Sequence, residues 1–145
     1  LNKPEQLTAE EFRVMKTHTE IGAEMLMELP AEQRESELVK VAIEICRWHH
    51  ERYDGSGYPD GLKGEEIPIA AQVVALADVY DALTSERCYK KAYSHTKALH
   101  MIVNGECGVF NPTLIQGLID ISNTLASNLT YNQPDSYNVQ GAVKI

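Results

Sequence analysis

The stretch His49-His50-Glu51, the loop Asp54-Gly55-Ser56-Gly57-Tyr58-Pro59 and the pair Asp78 and Asp81 set metal-ligand side chains, a glycine-rich turn and an aromatic ring between positions 49 and 81. Glycine weakens a packed core and histidine seldom seeks one, so packing gives no reason for two adjacent histidines followed by four glycines between 55 and 64. The chemistry that suits these residue types is metal-assisted hydrolysis. Imidazole and carboxylate groups bind zinc, iron, manganese or nickel. His18, His49, His50 and Asp78 are four such groups on three helical segments expected to converge. Consecutive helical residues point about 100° apart, so one ion takes both His49 and His50 only in a tight geometry, whereas two neighbouring ions take one each.

The other charged groups divide the same way. Asp78 stands between Ala77 and Val79, where burial without a partner is costly; an ion removes that cost, as would a helix cap or salt bridge. Asp81, one turn on, is placed either to orient a ligand histidine or to face water. Arg87 and Lys90, three residues apart beyond that helix, are spaced to grip phosphate oxygens, although singly they are ordinary surface charges. The glycine loop offers backbone amides and Tyr58 a stacking face, which suit a nucleotide base or a phosphodiester; such loops are also found as plain turns. His95 and His100 have no carboxylate or glycine context and read as solvated helix residues.

These side chains need a scaffold, and the sequence supplies helices. Thr8-Ala9-Glu10-Glu11 is a capping box, so a helix starts near Ala9 and breaks around His18; a second amphipathic helix follows to about Leu29. Pro30 and the polar run to Glu37 read as a loop. From Ser36 a third helix carries Leu38, Val39, Ala42, Ile43, Ile45 and Cys46 on a broad face, with the histidine pair at its C-terminal end. Asp54 to Pro68 has too many glycines and prolines for helix or strand, and loops of that length are usually functional. Pro68 opens a fourth helix through Asp78 to about Thr84. Ser94 and Gly105 bracket a fifth, and Asn111-Pro112 starts a sixth ending near Leu125. Sustained period-2 alternation is absent, which gives an all-α fold with a domain over 1–125 and a polar tail over 126–145.

Composition narrows the partners. With 145 residues the chain is the size of one ordinary domain, and a formal charge of -8 argues against binding the backbone of DNA or RNA. The longest purely apolar run, Val73 to Ala77, is too short for a membrane span of about 20 residues. Three cysteines without C-x-x-C spacing suggest neither a disulfide framework nor a zinc ribbon, and fit a reducing cytoplasm. The opening Leu1-Asn2-Lys3-Pro4 looks like a piece cut from something longer.

The segments HHERYDGSGYPDGLKGEEIP, ALADVYDALTSERCYKKAYS and GVFNPTL resemble the HD-GYP subfamily of HD-domain phosphohydrolases. The resemblance covers Leu1 to about Leu118. It implies a helical bundle of five to six helices and hydrolysis of cyclic di-GMP to pGpG or GMP at a centre of two or three metal ions. Iron or manganese would be the first choice, with zinc, nickel or magnesium also compatible. By motif position His18, His49, His50 and Asp78 fall on metal ligands and Gly57, Tyr58 and Pro59 on the loop beside the substrate. Arg87 and Lys90 fall on phosphate-contacting positions, and Asp78 and Lys90 are taken as catalytic. The family also implies an upstream sensory or receiver domain and GGDEF-type partners. Cys88 and Asn111 replace a common proline and aspartate. No histidine here is followed by aspartate, so the family's His-Asp dyad and the helices carrying it are expected upstream of Leu1. Without the bridging aspartate, this segment alone is expected to be weakly active or inactive. The competing expectation is a degenerate module that binds cyclic di-GMP or a partner without turnover.

Overall fold

The computed structural model describes residues 7–86 and 91–129. Its elements are α1 (Ala9–Lys16), α2 (His18–Met27), α3 (Ala31–Arg34), α4 (Glu37–Trp48), α5 (Ile69–Thr84), α6 (His95–Val103) and α7 (Pro112–Leu129), with a 3-10 turn at Gly64–Glu66. Six of these helices have eight residues or more and no strand occurs among the described residues, in keeping with the all-α expectation. Arg87, Cys88 and Lys90 lie outside the described residues, as does the stretch 130–145 of the polar tail.

Local chemistry sets the helix starts. Thr8 accepts the Glu11 amide at 3.2 Å while the Glu11 carboxylate accepts the Thr8 amide at 2.7 Å, completing the capping box. Ser36 and Ser94 cap α4 and α6 through the amides of Val39 and Lys97. The run after Pro30, expected as loop, holds the single helical turn of α3; Pro30 opens it, and its Ala, Glu, Gln and Arg are good helix formers.

The chain separates into a unit ending at Ile115 and a unit starting at Gln116. Within the first unit α4 packs against α2 and α5, and α5 packs in turn against α6. Gly22 lets α2 approach α4 closely, because a Cβ there would already touch the Cys46 side chain at 3.5 Å. The core is made of Ala23, Ile67, Ala71, Ala75, Leu76, Leu83, Ala98, Ile102 and Phe110. Burying one of its larger aliphatic side chains is worth about 1.5–3 kcal/mol, and the alanines keep the axes near enough for those contacts to form. In the second unit α7 continues from Gln116, whose side-chain amide donates to Asp120 at 2.9 Å.

Candidate metal centre

Two short helices and one turn bring three imidazoles together. His18 is the first residue of α2, placed by the break at Thr17, and its Nδ1 bonds the Met15 carbonyl at 2.7 Å. His49 is the C-cap of α4, and its Nδ1 bonds the carbonyls of Ile45 at 2.8 Å and Cys46 at 3.1 Å. A carbonyl only accepts, so both Nδ1 atoms carry a proton, and in the neutral ring each Nε2 is then a lone-pair donor. Those two Nε2 atoms stand 3.3 Å apart. His50 follows in the turn, with its ring centre 4.1 Å from that of His49 and 5.0 Å from that of His18. One nitrogen from each ring lies within 4.8 Å of the others.

The electrostatics fit a cation. Burial first, then the neighbouring His49, His18 and Arg52, pull the His50 pKa down to about 3, so His50 is neutral and able to ligate at ordinary pH. Facing lone pairs repel, and a shared ion turns that repulsion into coordination. Hydrogen bonds from the second ring nitrogen to carbonyls are what fix a ligand histidine's tautomer and aim. The residues present therefore fit a divalent metal ion.

The glycine loop lies against this cluster. Tyr58 donates its backbone N–H to the His50 carbonyl at 3.3 Å, and its ring stacks on the His50 ring at 4.8 Å and 30°. The Tyr58–Pro59 peptide is cis. Gly57 rests directly on the backbone of Glu51 and Arg52, where a Cβ would collide with Arg52 N and Glu51 Cα. Lys16 Nζ sits 4.9 Å over the Tyr58 ring and 4.9 Å over Phe12. The Tyr58 ring thus walls His50 on one side, and burial raises its phenol pKa.

Asp78 is exposed on α5 and is not among the grouped donor atoms of the three histidines. Its negative charge acts on Arg52 and Tyr58, which puts it on the loop side of α5. Asp81, also exposed, accepts the Ser85 hydroxyl at 2.9 Å. His95 departs from expectation: its Nδ1 meets the Tyr80 hydroxyl at 2.6 Å, a pairing between α5 and α6. His100 stays exposed, near the Asn104 amide.

Four residues without a role in the sequence reading shape the site. Lys16 covers Tyr58. Glu51 is buried and accepts the amides of Asp60 at 2.8 Å and Gly61 at 3.0 Å. Arg52 donates to the Glu51 carbonyl at 2.9 Å and lies 5.1 Å over Phe110; burial lowers its pKa, and the charges of Tyr58, Asp78, Cys107 and Asp54 work the other way. Asp60 receives Arg47 Nε at 2.7 Å, Arg47 Nη2 at 2.9 Å and Trp48 Nε1 at 2.7 Å. The usable signal was adjacency: Glu51 and Arg52 directly follow the ligand pair.

Residues 1–114 match the family model described as HD domain. The chain is 46% identical over 121 residues to a cyclic di-GMP phosphodiesterase of Vibrio cholerae serotype O1, covering 83% of this chain and 25% of that protein. To a 3'3'-cGAMP-specific phosphodiesterase 2 of the same organism it is 38% identical over 120 residues, covering 83% and 22%. The chain therefore spans about a quarter of the length of these curated relatives. Among solved structures it resembles Bd1817, an HDG"Y"P protein from Bdellovibrio bacteriovorus, with a TM-score of 0.60, 22% identity and coverage of 84% of this chain and 36% of that one. The matched family model, the named relatives and the three clustered imidazoles beside the Gly57-Tyr58-Pro59 turn agree: the chain belongs to the HD domain family and is an HD domain of the HD-GYP type.

Proposed function

We propose that this chain is the ion-binding part of a cyclic-dinucleotide phosphodiesterase. The observation that carries the proposal is the His18, His49 and His50 cluster, with nitrogens within 4.8 Å and tautomers set by carbonyls. A divalent ion bound there supplies Lewis-acid polarisation of a phosphoryl group and a lowered pKa for the attacking water. Iron or manganese is the favoured ion, and zinc, nickel or magnesium is compatible. The three rings would hold it, each through one nitrogen. Asp78, whose charge acts on Arg52 and Tyr58 on the loop side of α5, is proposed as a further ligand. Gly57, Tyr58 and Pro59 form the wall beside the ion against which one end of the substrate rests, and Arg87 and Lys90 are proposed to bind its phosphates.

Relatives are named for two cyclic dinucleotides that differ in one base, which supports the substrate class rather than one member of it. Among the described residues no helix is long and apolar enough to cross a membrane. An upstream sensory or receiver domain, GGDEF-type partners and a cytoplasmic setting belong to the same proposal. No His-Asp dipeptide occurs in these residues, so turnover by this chain alone is proposed to be weak.

The test loads the chain with Mn²⁺ or Fe²⁺ and assays binding and hydrolysis of cyclic di-GMP and 3'3'-cGAMP, alongside Asp78→Ala and His50→Ala. Ion-dependent cleavage lost in His50→Ala supports the proposal. Tight binding of the dinucleotide with no cleavage under any ion favours the binding-module alternative. Cleavage unchanged in both variants removes these residues from the chemistry.

A further inference from the structure

Glu51 follows the ligand pair directly, yet its carboxylate is 2% exposed and is not among the grouped donor atoms. A buried carboxylate is costly unless its oxygens are bonded. Oε1 accepts two backbone amides, from Asp60 and Gly61, while Oε2 has no hydrogen-bond partner among the described residues. Glu51 also lines a cavity of about 10 Å³ with Tyr53, Gln72 and Asn111, room for about one water molecule. Both amides point at a side chain that is itself buried, where a neutral acceptor would satisfy them without placing a charge there. Loop stability alone is thus a poor reason for the carboxylate.

Asp60 is held a second time. Arg47 and Trp48, at the end of α4, donate three hydrogen bonds to its side chain while Glu51 takes its backbone N–H. The chain leaving Tyr58-Pro59 is therefore tied by main chain and side chain to the helix end that supplies His49 and His50. Inside this closed loop Gly57 lies on the Glu51–Arg52 backbone and the Tyr58 ring lies on the His50 ring. We propose that Glu51 is a positioning residue for the metal centre: by clamping the amides of Asp60 and Gly61 it presses Tyr58 against His50 and fixes that imidazole's aim toward His18 and His49. This inference rests on reading the three histidines as an ion site.

The experiment uses the whole chain and Co²⁺ as the probe. Wild type, Glu51→Gln and Glu51→Leu are compared for amide exchange at Asp60 and Gly61, for emission of Trp48, the chain's single tryptophan, and for Co²⁺ affinity at a temperature where circular dichroism shows all three folded. Glutamine keeps an acceptor for both amides and is expected to keep slow exchange and near wild-type affinity. Leucine is expected to expose the two amides to exchange and weaken Co²⁺ about 10- to 100-fold, as loss of a supporting partner does. A folded leucine variant with open amides and unchanged Co²⁺ affinity overturns the proposal, leaving Glu51 a purely structural residue. Where leucine prevents folding, Glu51→Asp, which retains the charge but retracts the oxygens, decides: weakened affinity supports positioning and wild-type affinity overturns it. Absence of Co²⁺ binding by wild type instead defeats the ion reading itself, a result distinct from either.

Discussion

Nε2 of His18 faces Nε2 of His49 across 3.3 Å, each ring held in place by a backbone carbonyl at its other nitrogen. Removing one ring should therefore dismantle the donor set rather than merely weaken it. At Co²⁺ about 100 times the wild-type Kd the ion should stabilise the wild type by about 2.7 kcal/mol, and His49→Ala should show none of that gain. Thermal unfolding with and without the ion measures both.

Gly57 is required by proximity, since a methyl there meets main chain that cannot swing aside. Gly57→Ala should cost about 1–3 kcal/mol of stability, as overpacking does, and should separate Tyr58 from His50. Denaturant unfolding gives the first number, and the Co²⁺ titration should show weakened binding.

Asp60 carries the pH dependence of the loop clamp. Arg47 first, and Trp48 next, hold its carboxyl below the usual carboxylate value of 3.8. A depressed carboxylate adds stability above its unfolded value and loses it as pH falls through the folded one. Asp60→Asn should be less stable than wild type by about 1 kcal/mol near neutral pH, the charged hydrogen bonds of a carboxylate one-third exposed being weakened by solvent screening. That gap should close below about pH 4 in a series of urea melts. A gap independent of pH would contradict the assignment.

Asn111 is buried, and its amide donates to Gln72 Oε1 at 2.9 Å while its oxygen accepts the Thr113 amide at 2.9 Å. Aspartate keeps the second bond and turns the first into two facing acceptors, because Gln72 already donates to the Ile67 carbonyl at 2.7 Å. Asn111→Asp should cost about 1–3 kcal/mol, the penalty of leaving a buried polar group unpaired. Gln72→Glu should show a comparable loss, because its carboxylate still accepts the Asn111 amide but faces the Ile67 carbonyl without a proton to donate.

Much of the scaffold was legible because its signals are local. The Thr8 capping box, the serines at 36 and 94 and the break before His18 each act within four residues, and each produces the expected helix start. The Ala31–Arg34 turn was missed because polarity was read as loop, although those residues favour helix. At the site, residue types announced the three histidines, and only the folded chain tells which nitrogens face one another. Glu51, Asp60 and the Tyr80–His95 pair depend on partners nine to fifteen residues away, and no periodicity encodes which hydrogen bond such a residue makes. The exposure of Asp78 was hidden for a related reason: Ala77 and Val79 suggested an apolar surrounding, but consecutive helical positions look in different directions.

The facing histidines come from segments 31 residues apart in the chain. Whatever bridges them becomes a removable cross-link, closing a loop whose ends diffuse freely in the unfolded polypeptide. Chelation would cut that link as reduction cuts a disulfide, loosening the α2–α4 seam first and leaving the Tyr80–His95 pairing between α5 and α6 untouched.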